Sequence, residues 1–169
     1  MVKTNINLFA EGEVVYTDGG VLAEFAWVLV VLPFIAALII TFAGKSLPLK
    51  GAEIALGTIG IIFIYSLALM YLHVTEGVAN EFFINVGNIG QFDIEFGWVV
   101  DGLSIMMYFV VGLVALLVFI YATNYMEGEI RYTFFFTSLT LFAGSMLVLV
   151  SSPTLIQILI GWELVGVCS

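Results

Sequence analysis

Residues 21 to 43 read VLAEFAWVLVVLPFIAALIITFA, twenty-three positions in which Glu24 is the only charged side chain. As a helix this run is about 34 Å long, enough to cross a hydrocarbon core of about 30 Å with some tilt. The rest of the chain has the same character. Of its 169 residues, 62% are hydrophobic and 10% charged, with a mean hydropathy of +1.17. Those values lie far outside the range of soluble domains. They predict an all-α polytopic membrane protein.

Further spans are placed by length. The second runs from about Ala52 to Val74, and the third from about Leu103 to Tyr125, with Asp101 and Gly102 at its entrance. A fourth covers about Thr133 to Val150. Ser151 and Ser152 can cap a fifth helix with Pro153 in its first turn, where a missing N–H costs nothing. The seventeen residues 153–169 would give a helix of about 25 Å, short of the hydrocarbon thickness. The expectation is a bundle of four full spans (21–43, 52–74, 103–125, 133–150) and a truncated fifth (153–169). A tail at 1–20 and a loop at 75–100 lie outside the bundle.

Orientation follows from the basic residues, because short loops rich in Lys and Arg stay cytoplasmic. Lys45, Lys50 and Arg131 fall in the first and third loops, and Lys3 alone disagrees. The tail and the 75–100 loop are then external, with the N-terminus outside. The leader has no basic patch directly before its apolar run and no small-residue cleavage pattern, so it reads as a retained tail. In the external loop Phe92, Ile94, Phe96 and Trp98 alternate with Asp93, Glu95 and Gly97, the period of a half-buried strand. Phe82 to Val86 can pair with it across Gly87 to Gly90, giving a small hairpin.

Four Lys plus Arg against thirteen acids give a formal charge of -9. With no basic patch to neutralise phosphates, nucleic acid is excluded as a partner. The single Cys168 excludes an internal disulfide framework and any multi-cysteine iron–sulfur or zinc site within the chain. No phosphate loop, nucleotide fingerprint, metal cluster or nucleophile triad is present, so no cofactor is expected. Glu24 and Glu53 lie in the first turns of their spans, where a carboxylate suits the helix dipole. Asp101 can cap the third span or serve as a proton or water entry point. His73, near the outer end of the second span, is the other entry candidate, with interfacial anchoring as its plainer role. Pro33 would remove a hydrogen bond within the first span. Trp27, Trp98, Tyr71, Tyr121 and Tyr125 are placed as an aromatic belt at span ends.

Within SSPTLIQILIGWELVGVCS, residues 151–169, one feature stands apart. Glu163 comes ten residues after Pro153, roughly 15 Å down the helix and near mid-bilayer. A charge at that depth costs on the order of 3 kcal/mol on insertion scales, and such residues mark function. A carboxylate withdrawn from water tends to hold its proton, and a nearby ammonium reverses that tendency, so such a pair can switch. Helical spacing puts Thr154, Gln157, Gly161 and Cys168 on one stripe and Glu163 on nearly the opposite side. Small or polar groups on two faces argue for a helix inside a bundle.

The string GWELVGVCS at 161–169 resembles the start of the fifth span in the largest antiporter-like subunit of respiratory complex I, subunit L or chain 5. DGLS at 101–104 and YATNYMEGEIRYTFFFTSLTLFAGSMLVLV at 121–150 support the resemblance. Leu164 and Val167 stand where that family more often shows Gly and Leu. The resemblance covers residues 95–169 well, and the first two spans match only in kind. It implies a subunit that moves protons across a membrane, driven by electron transfer in other subunits of the complex, an NADH or related donor:quinone oxidoreductase. It also implies that Glu163 exchanges a proton with a lysine on a later span. No intramembrane lysine occurs here, so on this reading the chain is an N-terminal fragment. The implied partners are other complex I membrane subunits, the lipid bilayer and protons. A prokaryotic cell membrane is the first choice of location, with the mitochondrial inner membrane as alternative. The competing readings are the large subunit of a multisubunit sodium/proton antiporter or of a membrane-bound hydrogenase, and a non-transporting scaffold.

Overall fold

A computed structural model describes residues 20–77, 79–89 and 92–169. The 1–19 portion of the tail lies outside the described residues. In chain order the elements are α1 (Gly20–Glu24), α2 (Trp27–Ala43), a 3-10 turn (Gly44–Ser46), α3 (Ala52–Glu76), β1 (Asn80–Ile89), β2 (Phe92–Val100), α4 (Gly102–Tyr125), α5 (Tyr132–Ser151) and α6 (Leu155–Cys168).

The first apolar run, expected to be one helix, is broken at Phe25–Ala26. The cause lies on α3. The Tyr65 hydroxyl donates to the Leu22 carbonyl at 2.6 Å, the oxygen that the Ala26 N–H would take in a continuous α-helix. Ala26 N–H turns instead to Ala23 O at 3.3 Å. A side chain inserted into the hydrogen-bond ladder is a recognised source of such breaks. Glu24 consequently ends α1 rather than opening a span, and the dipole argument made for it does not hold. Pro33, by contrast, leaves α2 helical. Its ring packs on Gly144 of α5, where an added Cβ would sit 3.1 Å from Pro33 Cγ.

α3 starts where the expectation put it. Lys50 and Gly51 take left-handed conformations ahead of it, and the Glu53 carboxylate accepts from Leu49 N–H at 2.9 Å, which satisfies an otherwise orphaned donor near the helix start. Gly77, also left-handed, closes the helix with its N–H on His73 O at 3.0 Å. α4 opens on Asp101, whose Oδ1 accepts from Ser104 N–H at 2.7 Å. The fifth helix starts later than expected. Ser151 and Ser152 both bond back to the Val148 carbonyl, so α5 runs on through Ser151. Thr154 is then the residue that caps α6, with its hydroxyl accepting from Gln157 N–H.

β1 and β2 form a two-stranded antiparallel sheet with Phe82 opposite Trp98 and an irregularity between Asn85 and Gly87. The strands are longer than the 82–86 pairing expected. The Phe82 and Trp98 rings stack at 4.5 Å, and Trp98 Nε1 is buried without a protein partner. Trp98 therefore belongs to the hairpin's packing and not to a belt of outward anchors. Tyr71, Tyr121 and Tyr125 are exposed, as anchors should be.

α5 is the central helix, packed on α2, α4 and α6, while α3 lies along α4 and α2 also touches α3. Tyr108, Phe119, Phe136, Leu29, Ile40 and Leu147 are among the largest fully buried side chains. The outside of the bundle is also apolar, with Ile64, Val114, Leu117 and Phe134 exposed. Among the described residues three helices are long and apolar enough to cross a membrane: Ala52–Thr75, Gly102–Tyr125 and Tyr132–Ser151. The sequence predicted four. The break beside Ala26 accounts for the difference, since it leaves α2 with 17 residues.

Candidate functional site

α6 lies at the edge of the bundle with one face on α5. Gln157 and Gly161 are buried on that face. A Cβ at Gly161 would come within 3.0 Å of Leu149 Cα, so the two backbones are close because this residue has no side chain. Further from the hairpin, Cys168 Sγ lies 3.9 Å from Ser145 Oγ. Glu163 is two residues beyond Gly161, about 200° around the axis at 100° per residue, and points away from α5. Its side chain is exposed. The exposed neighbours on that side are Leu159, Ile160, Trp162 and Val167. Glu163 is thus the lone carboxylate on an apolar helix face, and among the described residues no hydrogen bond or ion pair engages it. Such a face is suited to packing against lipid or another apolar segment.

A second set of titratable groups gathers where the hairpin meets the helix ends. Asp101 caps α4 through the bond to Ser104, which is the structural role foreseen for it. The His73 ring rests on the first turn of α4, with Nε2 2.8 Å from where a Gly102 Cβ would be. Glu81, on β1, is the third member. Partial withdrawal from water, and secondly the negative charge of Asp101, push its carboxyl above the usual range. The structure brings Asp101, His73 and Glu81 together and keeps Glu163 apart from them. Thr154 and Gln157 start α6 at the hairpin end, and Glu163 lies six residues past Gln157, about 9 Å further along.

Two features escaped sequence reading. One is Glu81, whose nearness to Asp101 depends on the hairpin folding back. The other is Gln157, which in the sequence stands out only as part of a polar stripe. Its Oε1 accepts from Gly97 N–H at 3.0 Å and its Nε2 donates to Gly97 O at 2.8 Å. Beside it, Trp27, Val30, Val31, Phe96, Trp98, Val148 and Ser151 border a partly open cavity of about 240 Å³. Among the described residues no three His, Cys, Asp or Glu side chains converge to hold a metal ion.

An apolar, mostly helical bundle with three candidate membrane spans among the described residues defines the class, a helical membrane protein. Comparison with known proteins narrows it. The family described as NADH-ubiquinone oxidoreductase (complex I), chain 5 N-terminus, matches residues 87–136, from the end of β1 into α5. The NAD(P)H-quinone oxidoreductase chain 5 of Synechocystis is 37% identical over 88% of this chain and 23% of its own length. The chromatophore subunit 5 of Paulinella chromatophora is 34% identical over 86% and 23%. The chloroplast subunit 5 of Chlorokybus atmophyticus is 36% identical over the same shares. Over residues 87–136 the chain matches the complex I chain 5 family that GWELVGVCS resembles, and it spans under a quarter of the length of these relatives.

Proposed function

We propose that this chain is part of a proton-translocating, antiporter-like membrane subunit of a complex I type quinone oxidoreductase, with Glu163 as a proton-transfer residue. The observation that carries the reading is the lone carboxylate on the apolar outer face of α6, in a chain whose relatives are named NAD(P)H-quinone oxidoreductase chain 5. A carboxylate is costly in such surroundings unless it is paired or protonated. A lysine from a further segment would pair with it, and the movement or reprotonation of that lysine would make Glu163 hold or release its proton. Redox chemistry belongs to other subunits, which are its partners along with the bilayer.

With α2 counted as a fourth span and α6 as a fifth, the same reading puts the hairpin on the external side. Support comes from the far end of the bundle, where Lys50 and Arg131 border one surface depression, as expected of a cytoplasmic end. Asp101 and His73, joined by Glu81, then form the titratable set at the external end, where protons would enter or leave. A prokaryotic cell membrane is the proposed setting. The test uses the complete protein in its assembled complex. Glu163→Gln keeps assembly near normal and reduces proton uptake coupled to quinone reduction in reconstituted vesicles. Undiminished pumping by that variant removes Glu163 from the path.

A further inference from the structure

The Gln157 amide meets the backbone of Gly97 twice, giving and taking one hydrogen bond each. A side-chain amide has the same donor and acceptor as a peptide group, so Gln157 does for Gly97 what one residue of a third strand would do. Gly97 faces Phe83 across the ladder. Its N–H and C=O are both directed to Gln157, which makes this a non-hydrogen-bonded pair whose polar groups point to the outer edge of the sheet. Such an edge, when buried, must be satisfied by something. Both partners are buried, so water does not compete for the two bonds. Gly97 is also the one residue that fits, because a Cβ there would collide with the Phe82 carbonyl.

The consequence reaches α6 as a whole. Thr154 caps this helix and Gln157 lies one turn in, so the amide pins the helix at its hairpin end. Gly161 on Leu149 holds it at the middle. Two fixed points on one face settle the rotation of the helix about its axis, and Glu163 is carried on the opposite side as a result.

We propose that Gln157 is a positioning residue that splints the hairpin to α6 and thereby sets the direction in which Glu163 points. The proposal rests on the reading of Glu163 as a proton-transfer group. Asp101, His73 and Glu81 stand at the same hairpin, so a displacement of the hairpin would reach both titratable sets through this one amide.

The test compares Gln157→Leu and Gln157→Glu with the wild type in the full-length protein within its assembled complex. Leucine keeps the volume and loses both bonds. A glutamic acid keeps both bonds only while protonated. Hydrogen–deuterium exchange of the peptide containing Gly97 should quicken on the order of fivefold to tenfold in Gln157→Leu. In Gln157→Glu, after correction for intrinsic exchange, protection should return as pH falls, a pH dependence absent from the wild type. Proton pumping per quinone reduced should fall severalfold in Gln157→Leu and recover in part in Gln157→Glu at low pH. Unchanged exchange at Gly97 overturns the splint. Lost protection with full pumping, while Glu163→Gln still reduces pumping, overturns the positioning role and leaves the assignment of Glu163 standing. Full pumping in both Gln157→Leu and Glu163→Gln overturns the two together.

Discussion

Glu163 was legible as a residue because its cost does not depend on knowing the fold: a carboxylate ten residues past Pro153 in an apolar run is conspicuous in any arrangement. Its direction was legible too, since 100° per residue places it opposite Gly161. Glu81 was not, because its surroundings come from a hairpin whose register brings it near Asp101. Its raised carboxyl has a consequence for pH. The folded hairpin binds the Glu81 proton more tightly than the unfolded chain, whose ordinary value is 4.5, so stability falls as pH rises from there through the folded value. Glu81→Gln removes that loss. Hydrogen exchange of the hairpin should be slower in the variant than in the wild type at pH 7, and equal in both below about pH 4. Faster exchange at pH 7 would show that ionised Glu81 supports the hairpin.

Among the elements, long spans were readable because the bilayer fixes their length, whereas their interruptions depend on distant partners. The break between α1 and α2 is set by Tyr65, forty-three positions from the Leu22 carbonyl it engages. Nothing local in the first run announces it. Tyr65→Phe should let that carbonyl rejoin the helix ladder at a net cost of about 1 kcal/mol or less to the fold, read as a small drop in the thermal midpoint of the purified complex. It should also slow hydrogen exchange across residues 22–28, and unchanged exchange there would mean that the break has another origin. The start of α6 was misplaced for a similar reason: the hydroxyls of Ser151 and Ser152 serve Val148 of the preceding helix. The α5–α6 contact rests on Gly161 against Leu149. Gly161→Leu overpacks a backbone contact and should cost about 1–3 kcal/mol, with Gly161→Ala costing less. Thermal unfolding of the complex measures the order, and a Leu variant as stable as wild type would mean that α6 does not dock as described.

Across the whole molecule, the charged loops and the hairpin stand at opposite ends, a polarity that the places of Lys45, Lys50 and Arg131 along the chain are enough to reveal. Residues of the hairpin and of the Arg131 end should therefore differ in their access to a membrane-impermeant thiol reagent. With Cys168 replaced by Ser, Glu81→Cys should react in intact cells and Glu129→Cys only after the membrane is opened. The reverse pattern would invert the topology without touching the fold. What the sequence could not supply is the partner of Glu163, because the uncovered face of α6 has no basic side chain among the described residues. The account stands or falls on that carboxyl being shielded from water and needed for transport. A lipid-soluble carbodiimide applied to the assembled complex should modify Glu163 and stop proton pumping, while a water-soluble carbodiimide leaves both untouched. Equal modification by the water-soluble reagent, or full pumping after Glu163 has been modified, would contradict it.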